Sequence, residues 1–217
     1  MSSIRSLFDA IREGDTAQVA ALLDADPSLL AASENDTSAI LTAVYYGNAA
    51  LAALFIDRGA RLSLPEACAL GEETRALELL NADPSRIDVR SADGHVPVAL
   101  AIFFRHPEVA RALIERGADV NAHAANAQRV APLHAAAAVV DRATMALLLA
   151  RGADPNGRQQ LDYTPLHTAA GRGDIESATL LLSHGAEREP HGSDGKTPLD
   201  LAREKGQTAF VEWFSRG

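Results

Sequence analysis

Apolar positions in this chain recur at the spacing of short amphipathic helices, and the runs come in pairs. In "IESATLLLSHG", Ile175, Ala178, Leu181 and Leu182 fall on one face at about 100° per residue, and Gly185 suits a C-terminal cap. The run before it, "TPLHTAA", opens on Thr164-Pro165. Proline in the first turn forfeits no needed hydrogen bond and presets the backbone angle, so this is a helix start. Small alanines follow, where two helices of one unit pack closely. Neither helix can bury its apolar face alone, which predicts stacked neighbours completing one elongated core.

The pairing repeats. "YTPLHTAAGRGDIESATLLLSHGAE" from Tyr163 aligns along its length with "VAPLHAAAAVVDRATMALLLARGAD" from Val130, and "VPVALAIFFRHPEVARALIERGAD" from Val96 is a third copy. "KTPLDLAREKGQTAFVEWFSRG" from Lys196 closes the chain. More divergent copies begin at Arg5, Ser38 and Leu62, so the units start near 5, 38, 62, 96, 131, 164 and 197, at intervals of 33, 24, 34, 35, 33 and 33 residues.

Seven units at about 33 residues resemble the ankyrin-repeat family. The resemblance rests on "TPLHTAA" at Thr164, "APLHAAA" at Ala131, "TPLDLA" at Thr197 and the "RGAD" endings at Arg116 and Arg151. It implies an all-α fold: a solenoid of stacked helix-turn-helix units with projecting β-hairpin loops, one domain over 1–217. It also implies that His134 and His167, in the "PLH" position, make turn-stabilising hydrogen bonds. Cys68 occupies an alanine position of its unit and reads as a small buried thiol.

One pair of positions stands out. In "AVYYGN", Ile40, Ala43 and Val44 share a helical face and Tyr45 and Tyr46 point away from it. The equivalent pairs are Arg12-Glu13, Ala69-Leu70, Phe103-Phe104, Ala138-Val139, Gly171-Arg172 and Glu204-Lys205: polar at both ends of the array, apolar through its middle. The resemblance places these positions at the end of the inner helix, facing the concave surface where such repeats commonly contact partners. That surface would carry Tyr45, Tyr46, Leu70, Phe103, Phe104 and Val139. Exposed apolar surface with a polar rim marks binding. The competing expectation is that the rings of neighbouring units lie on one another and shield the divergent repeats.

Two departures from the pattern bear on this face. The glycine that follows the pair, Gly47 or Gly71, is replaced by Arg105 and Val140, so those helix ends are expected to close differently. The 24-residue interval between Ser38 and Leu62 leaves too few residues for a full hairpin, which predicts a notch in the rim beside the aromatic pairs. The other hairpin tips supply a polar border: Asp93 and His95, Gln128 and Arg129, Asp162 and Tyr163, Asp194 and Lys196. Of the histidines, His95 has the best claim to ligand contact.

Composition narrows the function. A net charge of -9 is spread along the chain, with four basic and eight acidic residues in 1–62 and nine and eleven in 131–217, so nucleic acid and anionic membranes are not expected partners. A lone cysteine fits a reducing compartment, and no apolar run has signal-peptide or membrane-spanning length, which reads as a cytoplasmic protein. No nucleophile elbow, phosphate loop or zinc motif occurs, and no cofactor is expected. The leading expectation is a monomeric module that binds one protein partner, an amphipathic helix or extended segment, in an aromatic-centred groove. The alternative is a small apolar ligand, or acid–base chemistry by His95, Asp93 and Asp162 in that groove. Charged residues on the first helices of the end units, and Trp213 and Phe214 sealing the last one, read as caps of a complete array with no appended catalytic domain.

Overall fold

The computed structural model describes residues 3–216. Fourteen α-helices among them follow one another in seven pairs: α1 (Ser3–Glu13) with α2 (Thr16–Ala25), α3 (Ala39–Tyr45) with α4 (Ala49–Asp57), α5 (Leu64–Leu70) with α6 (Glu73–Ala82), α7 (Pro97–Phe103) with α8 (Pro107–Glu115), α9 (Pro132–Val139) with α10 (Arg142–Ala150), α11 (Pro165–Arg172) with α12 (Ile175–Ser183), and α13 (Pro198–Glu204) with α14 (Thr208–Arg216). First helices pack on first helices from α1 through α13, and α2–α4 and α6–α8–α10–α12 form outer rows. Apart from the short link between α4 and α5, the connections between pairs form fingers. One holds an antiparallel ladder, β1 (Ser33–Glu34) with β2 (Thr37–Ser38), and the later ones are closed by backbone bonds such as Ser91 N–H to His95 O and Gly192 N–H to Lys196 O.

Local chemistry starts most of the helices. Asp15, Ser38, Asn48, Asp141, Asp174 and Thr197 accept hydrogen bonds from N–H groups of the first turn, and proline occupies the first turn of α5, α7, α8, α9, α11 and α13. The helix ends do not differ as the sequence suggested. Arg105 (φ 64) and Val140 (φ 60) take the same left-handed conformation as Gly47 (φ 70) and Gly71 (φ 76). The following residue closes the turn alike, His106 N–H to Ala101 O at 2.8 Å and Asn48 N–H to Ala43 O at 2.9 Å. The turn's hydrogen bonds impose the geometry whatever side chain is present, and a β-branched valine is strained there.

A continuous core runs from Leu7 to Phe214. Cys68 is one of its members, with burial pushing the thiol up to about 12. Several polar groups inside it are matched. Asp174 accepts from Arg142 Nη2 at 2.6 Å and from Ser177 Oγ and N–H, and although burial alone would raise its pKa, these bonds hold the carboxyl below its ordinary value. Asn121 and Asn156 tie consecutive units together: each amide donates to a glycine carbonyl of the next unit (Gly152, Gly185) and accepts from a backbone N–H two residues further on (Asp154, Glu187). At the end of the array Phe214 is buried as expected, Trp213 is only half-buried, and the central ring is Phe210, fully enclosed and in contact with both. Arg188 lies 4.1 Å above the Phe214 ring.

The connection from α4 to α5 is residues 58–63 and forms no finger. Ser38 Oγ donates to Glu66 Oε1 at 2.6 Å across it. A cavity of about 220 Å³ opens on the finger side, beside Leu41, Leu64 and Val89, and another of about 350 Å³ on the outer side between Ile56 and Arg75.

Candidate functional site

The inner-helix face is built around the ends of α3 and α7. Tyr46 and Phe103 are 57% and 54% exposed, whereas Tyr45, at 38%, lies stacked on Phe104 with ring centroids 5.7 Å apart. Phe103 meets Phe104 edge-on at 5.3 Å. Beneath Phe104 is a small separate cluster, Leu41, Ala69 and Leu100, one residue from each of three successive inner helices. The rings divide: Phe104 packs, and Tyr46 and Phe103 remain open.

Finger residues fix this arrangement. Tyr45 Oη donates to Asp93 Oδ2 at 2.5 Å, and burial of the ring together with the Asp93 carboxylate pushes the phenol well above its ordinary pKa. Asp93 Oδ1 also accepts from Ser91 Oγ. Asn126 Nδ2, from the next finger, donates to Asp93 O at 3.0 Å and to His95 Nε2 at 3.1 Å. With Nε2 accepting, the proton of neutral His95 sits on Nδ1.

Tyr45, His95 and Phe103 line a cavity of about 360 Å³ whose floor is Ala99, Leu100, Ala135 and Ala138. The cavity exists because a ring is missing. Ala138 holds the position in α9 that Phe103 holds in α7, so the aromatic row stops and leaves its volume empty. Gln128 and Gln159, from neighbouring fingers, and Thr168 of α11 complete the wall.

Other expected site residues lie elsewhere. Val139 is 8% exposed and belongs to the core, so it is not part of the open surface: the alanine-lined α9 lets neighbouring helices approach closely enough to cover it. Leu70 is half-buried against the core. Arg129 is exposed at its finger tip in a left-handed conformation (φ 51), and Tyr163 stacks on His167 at 4.7 Å and donates to Asp194 Oδ2 at 2.8 Å. Neither lines the cavity. Sequence reasoning missed Gln159 and the alanine floor, for which the only signal was the change from Phe-Phe to Ala-Val at the paired positions.

The two "PLH" histidines differ. His167 donates from Nε2 to Lys196 O at 3.1 Å and accepts at Nδ1 from Thr164 N–H and Oγ1, both at 3.1 Å. His134 donates from Nε2 to Tyr163 O at 3.2 Å, but Ala131 stands where Thr164 would be and its buried Nδ1 has no partner. Burial lowers the His134 pKa to about 4. Among the described residues no cluster of three or more His, Cys, Asp or Glu is arranged to hold a metal, and no helix is long and apolar enough to cross a membrane.

Paired helices stacked in register, with fingers along one edge, define a helical-repeat protein. A family model described as ankyrin repeats (three copies) matches residues 64–159 and 133–216, and the chain belongs to the ankyrin-repeat family. Such repeats generally mediate protein–protein contacts. No curated protein matches the chain.

Proposed function

We propose that the chain is a monomeric, cytoplasmic protein-interaction module that holds one partner segment in a concave groove along α3, α7 and α9, and that the two helix pairs before residue 64 are repeats of the same array. The observation that carries this reading is the pair of open rings, Tyr46 and Phe103, beside a cavity and next to a Tyr45 fixed by Asp93. Aromatic side chains give large contact area for little lost side-chain freedom, which makes them binding hot spots. Asp36, Asp93, Asp162 and Asp194 on the finger tips favour a partner with basic flanks.

The test compares binding partners of the wild type with those of a Tyr46→Asp, Phe103→Asp variant of unchanged circular dichroism. Loss of one defined complex in the variant supports the groove, and retention of every complex refutes it. The cavity supports a second reading, a free small apolar ligand, which native mass spectrometry of the purified chain addresses through a retained non-covalent mass.

A further inference from the structure

We infer that the cavity between α7 and α9 is an anchor pocket for one neutral aromatic side chain, carried by an extended peptide segment whose backbone pairs with Gln128 and Gln159. The inference rests on the interaction-module reading and specifies its ligand. Three observations carry it.

The first is charge. The chain is 23% Asp, Glu, Lys and Arg, yet none of the twelve residues lining the cavity is one of these. His134 is held neutral by burial, and the side chain of Asp93 is turned to Tyr45 and Ser91. A charged occupant would lose its hydration with no counter-charge in return, so a neutral one is selected.

The second is size and shape. About 360 Å³ is near the lower end of ligand-pocket volumes, roughly 300–1,000 Å³, which suits a single ring system. Ala138 lines the cavity where the preceding unit carries the Phe103 ring, and Phe103 itself lines it and is available for offset or edge-on packing.

The third is the rim. Gln128 and Gln159 lie on adjacent fingers, and among the described residues neither side-chain amide has a hydrogen-bond partner. Each carries a carbonyl acceptor and N–H donors, the two kinds of group a peptide unit pairs with, so the two can bond backbone groups on either side of the inserted residue. Phe103 lines the cavity yet is 54% exposed, and the open Tyr46 ring lies outside it, so the inner face offers apolar surface beyond what a free ring compound in the cavity would cover, which favours a peptide over a small molecule.

The experiment selects random displayed peptides on the full-length chain and measures the affinities of the winners by calorimetry. Enriched peptides are expected to share one Phe, Trp or Tyr. Their affinity should fall by about tenfold or more in Ala138→Phe, which restores the missing ring, and severalfold in Gln128→Ala, Gln159→Ala, which leaves the floor untouched. Unfolding midpoints of both variants establish that they fold.

Peptides without a common aromatic, or aromatic peptides insensitive to both variants but lost in Tyr46→Asp, Phe103→Asp, would overturn the anchor pocket and leave the groove reading standing. Peptides insensitive to all three variants would overturn both. Saturable binding of free indole tighter than that of any selected peptide would also overturn the inference, by making the cavity a small-molecule site.

Discussion

Ala131→Thr should stabilise the protein, because it supplies the donor that His134 lacks. The backbone at Ala131 (φ -95, ψ 162) matches that at Thr164 (φ -90, ψ 168), where Thr Oγ1 sits 3.1 Å from the His167 Nδ1. The new hydroxyl would therefore reach a buried, unpartnered acceptor without moving the chain. It would also cap α9, whose N-terminus has no side-chain cap. One buried hydrogen bond contributes about 0.5–1.5 kcal/mol and a cap about as much. Because one hydroxyl serves both roles, the expected gain is about 1–2 kcal/mol, or roughly 2–8 °C in Tm for a chain of this size. Thermal and urea unfolding measure it, with Thr164→Ala as the mirror experiment, expected to cost a similar amount. A wild-type midpoint for Ala131→Thr alongside a destabilised Thr164→Ala would show that the His134 acceptor is already satisfied, and would refute the reasoning.

Val140→Gly should raise stability by about 0.5–1 kcal/mol, since relief of a left-handed β-branched residue outweighs the added entropy of glycine in the unfolded chain; an unchanged or lower urea midpoint counts against strain at that turn. His134 is protonated more readily unfolded, near 6.5, than folded, near 4, so the unfolded state binds the extra proton between those values and stability is lost as pH falls through that window. At about 1.4 kcal/mol per pH unit the loss reaches about 3 kcal/mol, and His134→Gln should flatten the measured stability slope between pH 6.5 and 4. Phe210→Ala should cost about 3–5 kcal/mol in urea unfolding, because it empties a fully enclosed site. Trp213→Ala should also lower the melting temperature, but by less, since that ring is half-exposed.

The helix pairs were legible because each unit repeats its own start and stop signals: Thr-Pro ahead of α11 and α13, and glycine after α3, α5 and α11. The short link at 58–63 was legible from spacing alone. The two non-glycine turns were misread because sequence shows what a left-handed position prefers, while the fold decides what it must accept; Val140 sits there because the closing bond from Asp141 to Ala136 requires it. The cavity was the least legible feature. It arises from side chains that are small, Ala135 and Ala138, between finger residues contributed by different units, and a void has no residue of its own to announce it. Val139 was misplaced for the same reason in reverse, since alanine-rich helices approach closely enough to hide a neighbour.

An array of like units has a translational ambiguity: a segment lying along it meets nearly the same environment after a shift of one repeat. The missing finger at 58–63 removes that ambiguity. It breaks the row at one known point, between the pair that carries Tyr45 and Tyr46 and the pair that carries Leu70, and would give the proposed groove an origin and a polarity. A chain entering from the α1 side would meet Tyr46, then the gap, then Phe103 and the alanines of α9, whereas the reversed chain would meet them in the opposite order. In the proposed groove, direction and register would thus be set by an interval of 24 residues, against about 33 elsewhere, rather than by any added side chain.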